Sequence, residues 1–297
     1  MKKYLALFVS ICLLSSCVQD IDFNNGREKV LVLNCLLKND TIQTLRLTRS
    51  ISLNSHRTYE KVTEADIQLF VGDSMVGKFV YNGINKWELK YTPMASTEYK
   101  IVAIVGDTTL TASTTMPIGN LFDSNQTLDS YPTKNFIQYS AKYPTWITVI
   151  NSANILLSAS KPTSKDRACN DIGTNNKLAD KFNQFGNLKL TISEANTPAY
   201  HYYIRLYNDD TLNEENPTDF VVEAGYEDYV YVSFITSSFE YDQYLKTSLQ
   251  KVLSVADDTD PAIWFDESCI YSNIKNGKGI FGAYNEEFFR YDFKNRI

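Results

Sequence analysis

The sequence predicts a mainly β protein. We expect an immunoglobulin-like or transthyretin-like β-sandwich over residues 28–117, then a second β-rich domain with at least one amphipathic helix over residues 118–297. The composition favours this class, because the 20 Tyr and 16 Phe outnumber the 12 Gly and aromatic side chains suit a pleated, half-buried surface. From about residue 28, short apolar or alternating runs and turn signals follow one another, as in consecutive strands.

The N-terminal sandwich is predicted from about seven such runs. Residues 30–37 are almost continuously apolar, which is typical of a strand covered on both faces, whereas Ile67, Leu69 and Val71 alternate with mostly polar neighbours. Turn signals separate several runs at Gly72-Asp73, Asn82-Gly83 and Gly106-Asp107. The predicted strands lie at residues 30–37, 45–48, 66–71, 79–81, 87–91, 99–105 and 109–116.

The C-terminal half combines further strands with one helix. Ser237-Ser238-Phe239-Glu240 fits a capping box, and apolar residues then recur on one face at helical spacing, which predicts a core-packing helix near residues 238–254. The predicted strands lie at residues 146–150, 154–159, 188–192, 200–207, 220–222 and 229–235.

The N-terminus has the pattern of a secretory leader. Lys2 and Lys3 precede an apolar stretch over residues 4–14, and Leu14-Ser15-Ser16-Cys17 resembles the bacterial lipobox. We therefore predict a signal peptide over residues 1–16, acylation of Cys17, and an anchor and linker over residues 17–27. The alternative is an ordinary leader with an incidental cysteine. The second residue of the mature chain is Val18, not the aspartate that retains lipoproteins in the inner membrane. We therefore expect the protein in the outer membrane, and the sequence does not decide between its cell-surface and periplasmic faces.

Charge and motifs argue against several functions. A formal net charge of −6 disfavours binding to nucleic acid, since no basic excess is available to neutralise phosphates. With 2 His, no G-x-S-x-G and no cysteine spacing of a zinc site, we expect no cofactor, no metal and no enzymatic turnover. Asp257, Asp258 and Asp260 do not follow the D-x-D-x-D-G order of a calcium-binding loop. The sequence does not decide whether Glu214-Glu215 are a catalytic pair of carboxylates.

Three cysteines would remain in the mature chain beside Cys17. Cys35 lies in an apolar run and is expected to be a small buried hydrophobe. Cys169 and Cys269 are either a disulfide or two buried thiols, and their spacing does not decide between these alternatives.

One strand face and one glycine motif are candidate binding sites. His201, Tyr203, Arg205 and Tyr207 share a face of a predicted strand, which suits either a contact surface for a saccharide or partner, or cross-strand pairs that stabilise the sheet. Near the C-terminus, three glycines spell G-x-G-x-x-G, but only fifteen residues follow the last of them, too few to complete a dinucleotide-binding unit. We therefore interpret Gly277, Gly279 and Gly282 as positions of positive φ or close backbone approach.

Several stretches resemble a known family. EYDQYLKTSL (residues 240–249), Asp260-Pro261 and SNIKNGKGIFGAY (residues 272–284) are similar to the C-terminal signature of a Bacteroidetes lipoprotein family labelled domain of unknown function 4249. VLVL, LRLTRS, ADIQLF and TASTTMP follow the family's strand pattern in order, and the resemblance covers nearly the whole mature chain. It implies a surface or periplasmic lipoprotein, often encoded beside TonB-dependent outer-membrane receptors, with no established activity.

These observations favour a non-enzymatic binding or accessory module, anchored to the outer membrane by its N-terminal lipid and partnering a TonB-dependent transporter. Two alternatives remain. A structural or adhesive surface protein would be marked by tandem repeats, and a surface hydrolase of glycans or peptides would be marked by acids that converge in a cleft.

Overall fold

A computed structural model describes a mainly β chain, which confirms the predicted class. The described residues are 29–51, 59–84, 86–119, 133–138, 143–151, 172–174, 189–192, 197–200, 204–206, 217–222, 229–256 and 270–292. The strands of the N-terminal half are β1 (Leu31–Lys38), β2 (Ile42–Arg49), β3 (Glu60–Lys61), β4 (Asp66–Val71), β5 (Ser74–Lys78), β6 (Val80–Tyr81), β7 (Trp87–Lys90), β8 (Glu98–Val105) and β9 (Thr108–Thr115).

The C-terminal half adds further strands and a helix. The strands are β10 (Thr133–Gln138), β11 (Thr145–Asn151), β12 (Ile172–Thr174), β13 (Lys189–Ile192), β14 (Thr197–Tyr200), β15 (Ile204–Leu206), β16 (Pro217–Val222), β17 (Tyr229–Ser237) and β18 (Lys278–Asp292). The helix, α1, spans Phe239–Ala256. Of the predicted strands, the one at residues 154–159 lies outside the described residues.

Within the described residues the strands form three sheets. The largest has nine strands in the order β15-β11-β17-β18-β1-β2-β7-β6, with β3 paired to β2. A four-stranded sheet has the order β5-β4-β8-β9, and a five-stranded sheet has the order β10-β16-β12-β14-β13.

The N-terminal core is enclosed by the large sheet and the four-stranded sheet. Alternate side chains of β1 and β2, such as Leu33 and Leu45, are fully buried in one cluster with Ile67 of β4 and with Tyr99 and Ile101 of β8. Burial of each such aliphatic side chain stabilises the fold by about 1.5–3 kcal/mol. Two β-layers therefore cover one core, as a sandwich requires.

A strand from the far end of the chain completes this sandwich. The first half of β18 pairs in parallel with β1, with Leu33 opposite Gly279, while its second half pairs antiparallel with β17. Phe281 and Ala283 of β18 are buried in the same cluster as the N-terminal core. The predicted domain boundary between residues 117 and 118 therefore falls between two parts of the chain whose strands belong to one continuous sheet.

The helix begins one residue later than the capping box predicts. The carbonyl of Ser238 accepts the first helical bond from Asp242 N (2.9 Å), and its Oγ accepts from Tyr241 N (3.3 Å). Ser237 instead ends β17 and donates its N–H to the Pro144 carbonyl (2.9 Å). Ser238 is therefore the N-cap, and the prediction of Ser237 is wrong because the preceding strand uses that residue's backbone.

Candidate functional site

The segment that contains the three glycines joins the two layers of the sandwich. We call residues 272–284 the clasp. Its first part lies along the edge of β9, where Asn273 Nδ2 donates to the Ser113 carbonyl (3.1 Å) and Lys275 N donates to the Thr111 carbonyl (2.9 Å). The chain then turns, with φ of 60° at Asn276, and returns as β18 beside β1. The clasp thus bonds to an edge strand of one sheet and supplies an inner strand to the other.

On the edge of β18 that faces away from β1, Asn273 and Ser238 satisfy the backbone hydrogen bonds of the clasp. The Asn273 amide donates to the Phe281 carbonyl (2.8 Å) and accepts from Phe281 N (2.9 Å), so it replaces a neighbouring strand at that residue. Ser238 does the same for Ala283, through its backbone N–H (2.8 Å) and its Oγ (3.2 Å). The buried backbone of this half-strand therefore keeps its hydrogen bonds along an edge where none of the described strands pairs with it.

The glycines are positions of close approach, as predicted. A Cβ on Gly277 would lie 2.8 Å from the Leu31 carbonyl oxygen, and a Cβ on Gly282 would lie 2.9 Å from Tyr241 Cβ. Gly279 has a φ of +113°, and a Cβ there would overlap the Leu33 carbonyl. The motif therefore fits the close packing of β18 onto β1 and α1.

Arg205 belongs to a buried polar cluster. It lies on β15, with 7% of its surface exposed, and its Nε and Nη2 donate to the two carboxylate oxygens of Asp242 at 2.7 and 2.9 Å. Trp146 Nε1 donates to the same carboxylate (3.0 Å), and Lys246 Nζ lies 3.6 Å from it. The expectation that Arg205 lies on an exposed contact face is wrong, because this carboxylate from the helix holds its guanidinium inside the fold.

Sequence reasoning did not single out Asp242. The signal was nevertheless present, because Asp242 immediately follows Tyr241 and stands three residues before Leu245, so an acid interrupts the apolar stripe of the helix. An acid in such a stripe needs a buried partner.

An open groove of about 440 Å³ lies on the outer face of the large sheet, beside α1. We call it the basic groove. It is lined by Asn34, Leu36 and Lys38 of β1, Thr44, Leu45 and Arg46 of β2, Ile280 and Tyr284 of β18, Tyr244 of α1, and Lys86. Asn34 stands between Arg46 and Ile280 in the pairing register, so these three positions form a row across the sheet.

The lining of the groove is basic. Lys38, Arg46 and Lys86 contribute positive charge, and none of the residues that line it is acidic. Lys38 pairs with Asp40 outside the groove (2.8 Å). Sequence reasoning missed the groove, because most of its residues are outward positions of separate strands, and only strand pairing and the packing of α1 bring them together.

A sequence model of the family described as "Domain of unknown function (DUF4249)" matches residues 18–290. The chain belongs to the DUF4249 family. The resemblance stated from the sequence is therefore confirmed at the level of the family. For the DUF4249 protein, the clasp gives a physical meaning to the most specific part of that resemblance: its asparagines and glycines hold the last strand in the sandwich.

Comparison with other proteins adds little to the family assignment. A crystal structure of a protein described as membrane anchored, from Corynebacterium diphtheriae, is 10% identical to the DUF4249 protein with a TM-score of 0.22. The match covers 72% of this chain and 56% of that protein, and a likeness this distant defines neither fold nor function. No curated protein matches the sequence.

Several predicted positions lie outside the described residues of the DUF4249 protein. They are Cys17, Cys169, His201, Tyr203, Tyr207, Cys269, and the acids at 214, 215, 257, 258 and 260. Cys35 is described and is buried as predicted, and burial raises the pKa of its thiol.

The described residues contain neither a metal-binding cluster nor a membrane-spanning helix. Among the described residues, no group of three or more His, Cys, Asp and Glu is placed to hold a metal ion. No helix in the described ranges combines the length and the apolar character that crossing a membrane requires.

Proposed function

We propose that this DUF4249 protein is a lipid-anchored binding module of the outer membrane that assists a TonB-dependent transporter without turning over a substrate itself. The observation that carries the proposal is the N-terminal pattern, in which a basic and then apolar stretch is followed by Leu14-Ser15-Ser16-Cys17. Acyl chains on Cys17 would hold the folded part in water at the membrane surface, where neighbouring receptors also lie.

The length of the tether supports such a role. About thirteen residues separate Cys17 from β1, which begins at Leu31, and a chain of this length spans at most about 45 Å. A module held within that distance of the membrane has a high effective concentration toward its neighbours there, so even a weak interface would be occupied.

The shape of the large sheet also supports binding. The basic groove is an open concavity on the outer face of the sheet, and rows of paired strands hold the backbone beneath it. A binding surface on strands is positioned more rigidly than one on loops.

The test is recovery of a partner from the native membrane. Crosslinking followed by affinity purification from detergent-solubilised outer membranes should recover a TonB-dependent transporter with the wild-type chain, and deletion of the gene should reduce uptake by that transporter. The matched control is Cys17→Ala, which keeps the folded part but cannot be acylated, and its soluble form should lose the transporter. Recovery of no transporter with the wild type, together with unchanged uptake after deletion, would refute the proposal.

A further inference from the structure

We propose that the basic groove binds a small ligand that carries one oxyanion group, a carboxylate or a phosphate, on a hydroxylated ring. The inference deepens the proposed function, and it rests on the chain being a binding module. It is argued from the charges of the groove, from its aromatic wall and from the polar groups on its floor.

The charges favour an anion. Arg46 projects from the outer face of β2, directly opposite Asn34, and the register of β2 with β7 brings Lys86 alongside it. In the described part of the chain, neither Arg46 nor Lys86 makes a side-chain hydrogen bond or ion pair, so both cationic groups are available to a ligand. In a protein with a formal net charge of −6, these groups make the groove a local site of positive potential.

The opposite side of the groove is aromatic. Tyr284 lies across from Lys38 in the pairing of β18 with β1, and its ring packs against Tyr241 with centroids 5.5 Å apart. Tyr244 contributes a second tyrosine from α1. Tyrosine offers a flat apolar surface with a polar tip, which suits the face and edge of a sugar ring.

Polar groups lie between these two sides. Asn34 and Thr44 line the groove. Glu88 lies just outside the lining, opposite Thr44 in the pairing of β2 with β7, where it accepts a hydrogen bond from Asn82 (2.6 Å). An acid at this end disfavours a second negative charge there and favours hydroxyl donors. The ligand should therefore place its single anionic group toward Arg46 and its hydroxyl groups toward Thr44.

The size of the groove sets an upper limit on the ligand. A volume of about 440 Å³ lies in the lower part of the range of small-molecule sites, about 300–1,000 Å³. One or two sugar rings would fit this volume.

The test uses the full chain in mild detergent and three probes: galacturonate, glucose 6-phosphate and neutral galactose. Isothermal titration should show saturable binding of at least one anionic probe, about tenfold or more tighter than galactose and weaker at higher salt. Tighter binding of galacturonate assigns the carboxylate, and tighter binding of glucose 6-phosphate assigns the phosphate.

Charge-removing variants locate the binding site. Arg46→Gln and Lys86→Gln should each weaken binding of the anionic probe about tenfold, whereas Lys100→Gln, which removes an exposed charge from the other sheet, should leave it unchanged. The proposal is overturned if neither anion binds up to about 10 mM, if galactose binds as tightly, or if Lys100→Gln has the same effect as Arg46→Gln. Such a failure, with the transporter still recovered from membranes, would remove the ligand and leave the proposed function standing.

Discussion

The close approach of β18 to β1 can be measured with one pair of glycine substitutions. Gly279 has a φ of +113°, and a Cβ there would overlap the Leu33 carbonyl, whereas Gly106 has a φ of +55° with nothing within 4 Å of a Cβ. Both substitutions to alanine impose backbone strain, worth about 1–3 kcal/mol, but only Gly279→Ala must also push two paired strands apart, which adds about 1–3 kcal/mol. We expect a loss in the free energy of unfolding of about 3–5 kcal/mol for Gly279→Ala and about 1 kcal/mol for Gly106→Ala.

The comparison removes the effect on the unfolded chain. Alanine restricts the unfolded chain by about the same amount at both positions, so the difference between the two variants reports the native state, namely the contact with Leu33 and the greater backbone strain at a φ of +113°. Urea denaturation of the full chain in mild detergent, followed by tryptophan fluorescence, would give both free energies. Equal losses for the two variants, or a loss below about 1 kcal/mol for Gly279→Ala, would show that β18 does not approach β1 this closely.

Three further predictions concern the anchor and the buried groups. Cys17→Ala should release the protein from the membrane fraction or leave an uncleaved precursor, and metabolic labelling with an alkyne fatty acid should no longer mark it; a labelled mutant would contradict the predicted anchor. Asp242→Asn should lower the unfolding free energy by about 3–5 kcal/mol, because it leaves the buried guanidinium of Arg205 without its counter-charge; a urea midpoint equal to that of the wild type would show that the pair contributes little. Burial raises the pKa of the Cys35 thiol and so keeps it protonated as the pH rises. The native protein should therefore not react with maleimide at Cys35 at pH 8, whereas the urea-unfolded chain should. Rapid labelling of Cys35 without urea would contradict this prediction.

The parts of the fold that sequence reasoning found are those specified locally. The alternation of β4 and the apolar run of β1 predicted these strands, and the positive φ of Gly72 and Gly106 fits the turns read from their positions. The same reasoning missed β3 and β5, because one has two residues and the other has little buried surface. These two strands are defined by hydrogen bonds to neighbouring strands, and such bonds do not produce an alternation of apolar and polar residues in the sequence.

The candidate site was less predictable than the fold. Asn34 and Ile280 are neighbours only because β1 pairs with β18, and no local pattern specifies which of many apolar strands lies beside β1. Outward positions of a strand also carry little signal, since almost any polar residue is tolerated there. The glycines were interpreted correctly because a positive φ and close packing both restrict a position to glycine, so the residue type itself carried the information.

The position of β18 has a consequence for the order in which this protein is made. The pairs it forms with β1 join residues roughly 250 apart in the sequence, and contacts of such long range form slowly. One edge of β1 can pair with β2 as soon as residues 42–49 are made, but its other edge stays without β18 until residues 278–284 have been synthesised, so the core of the sandwich closes late.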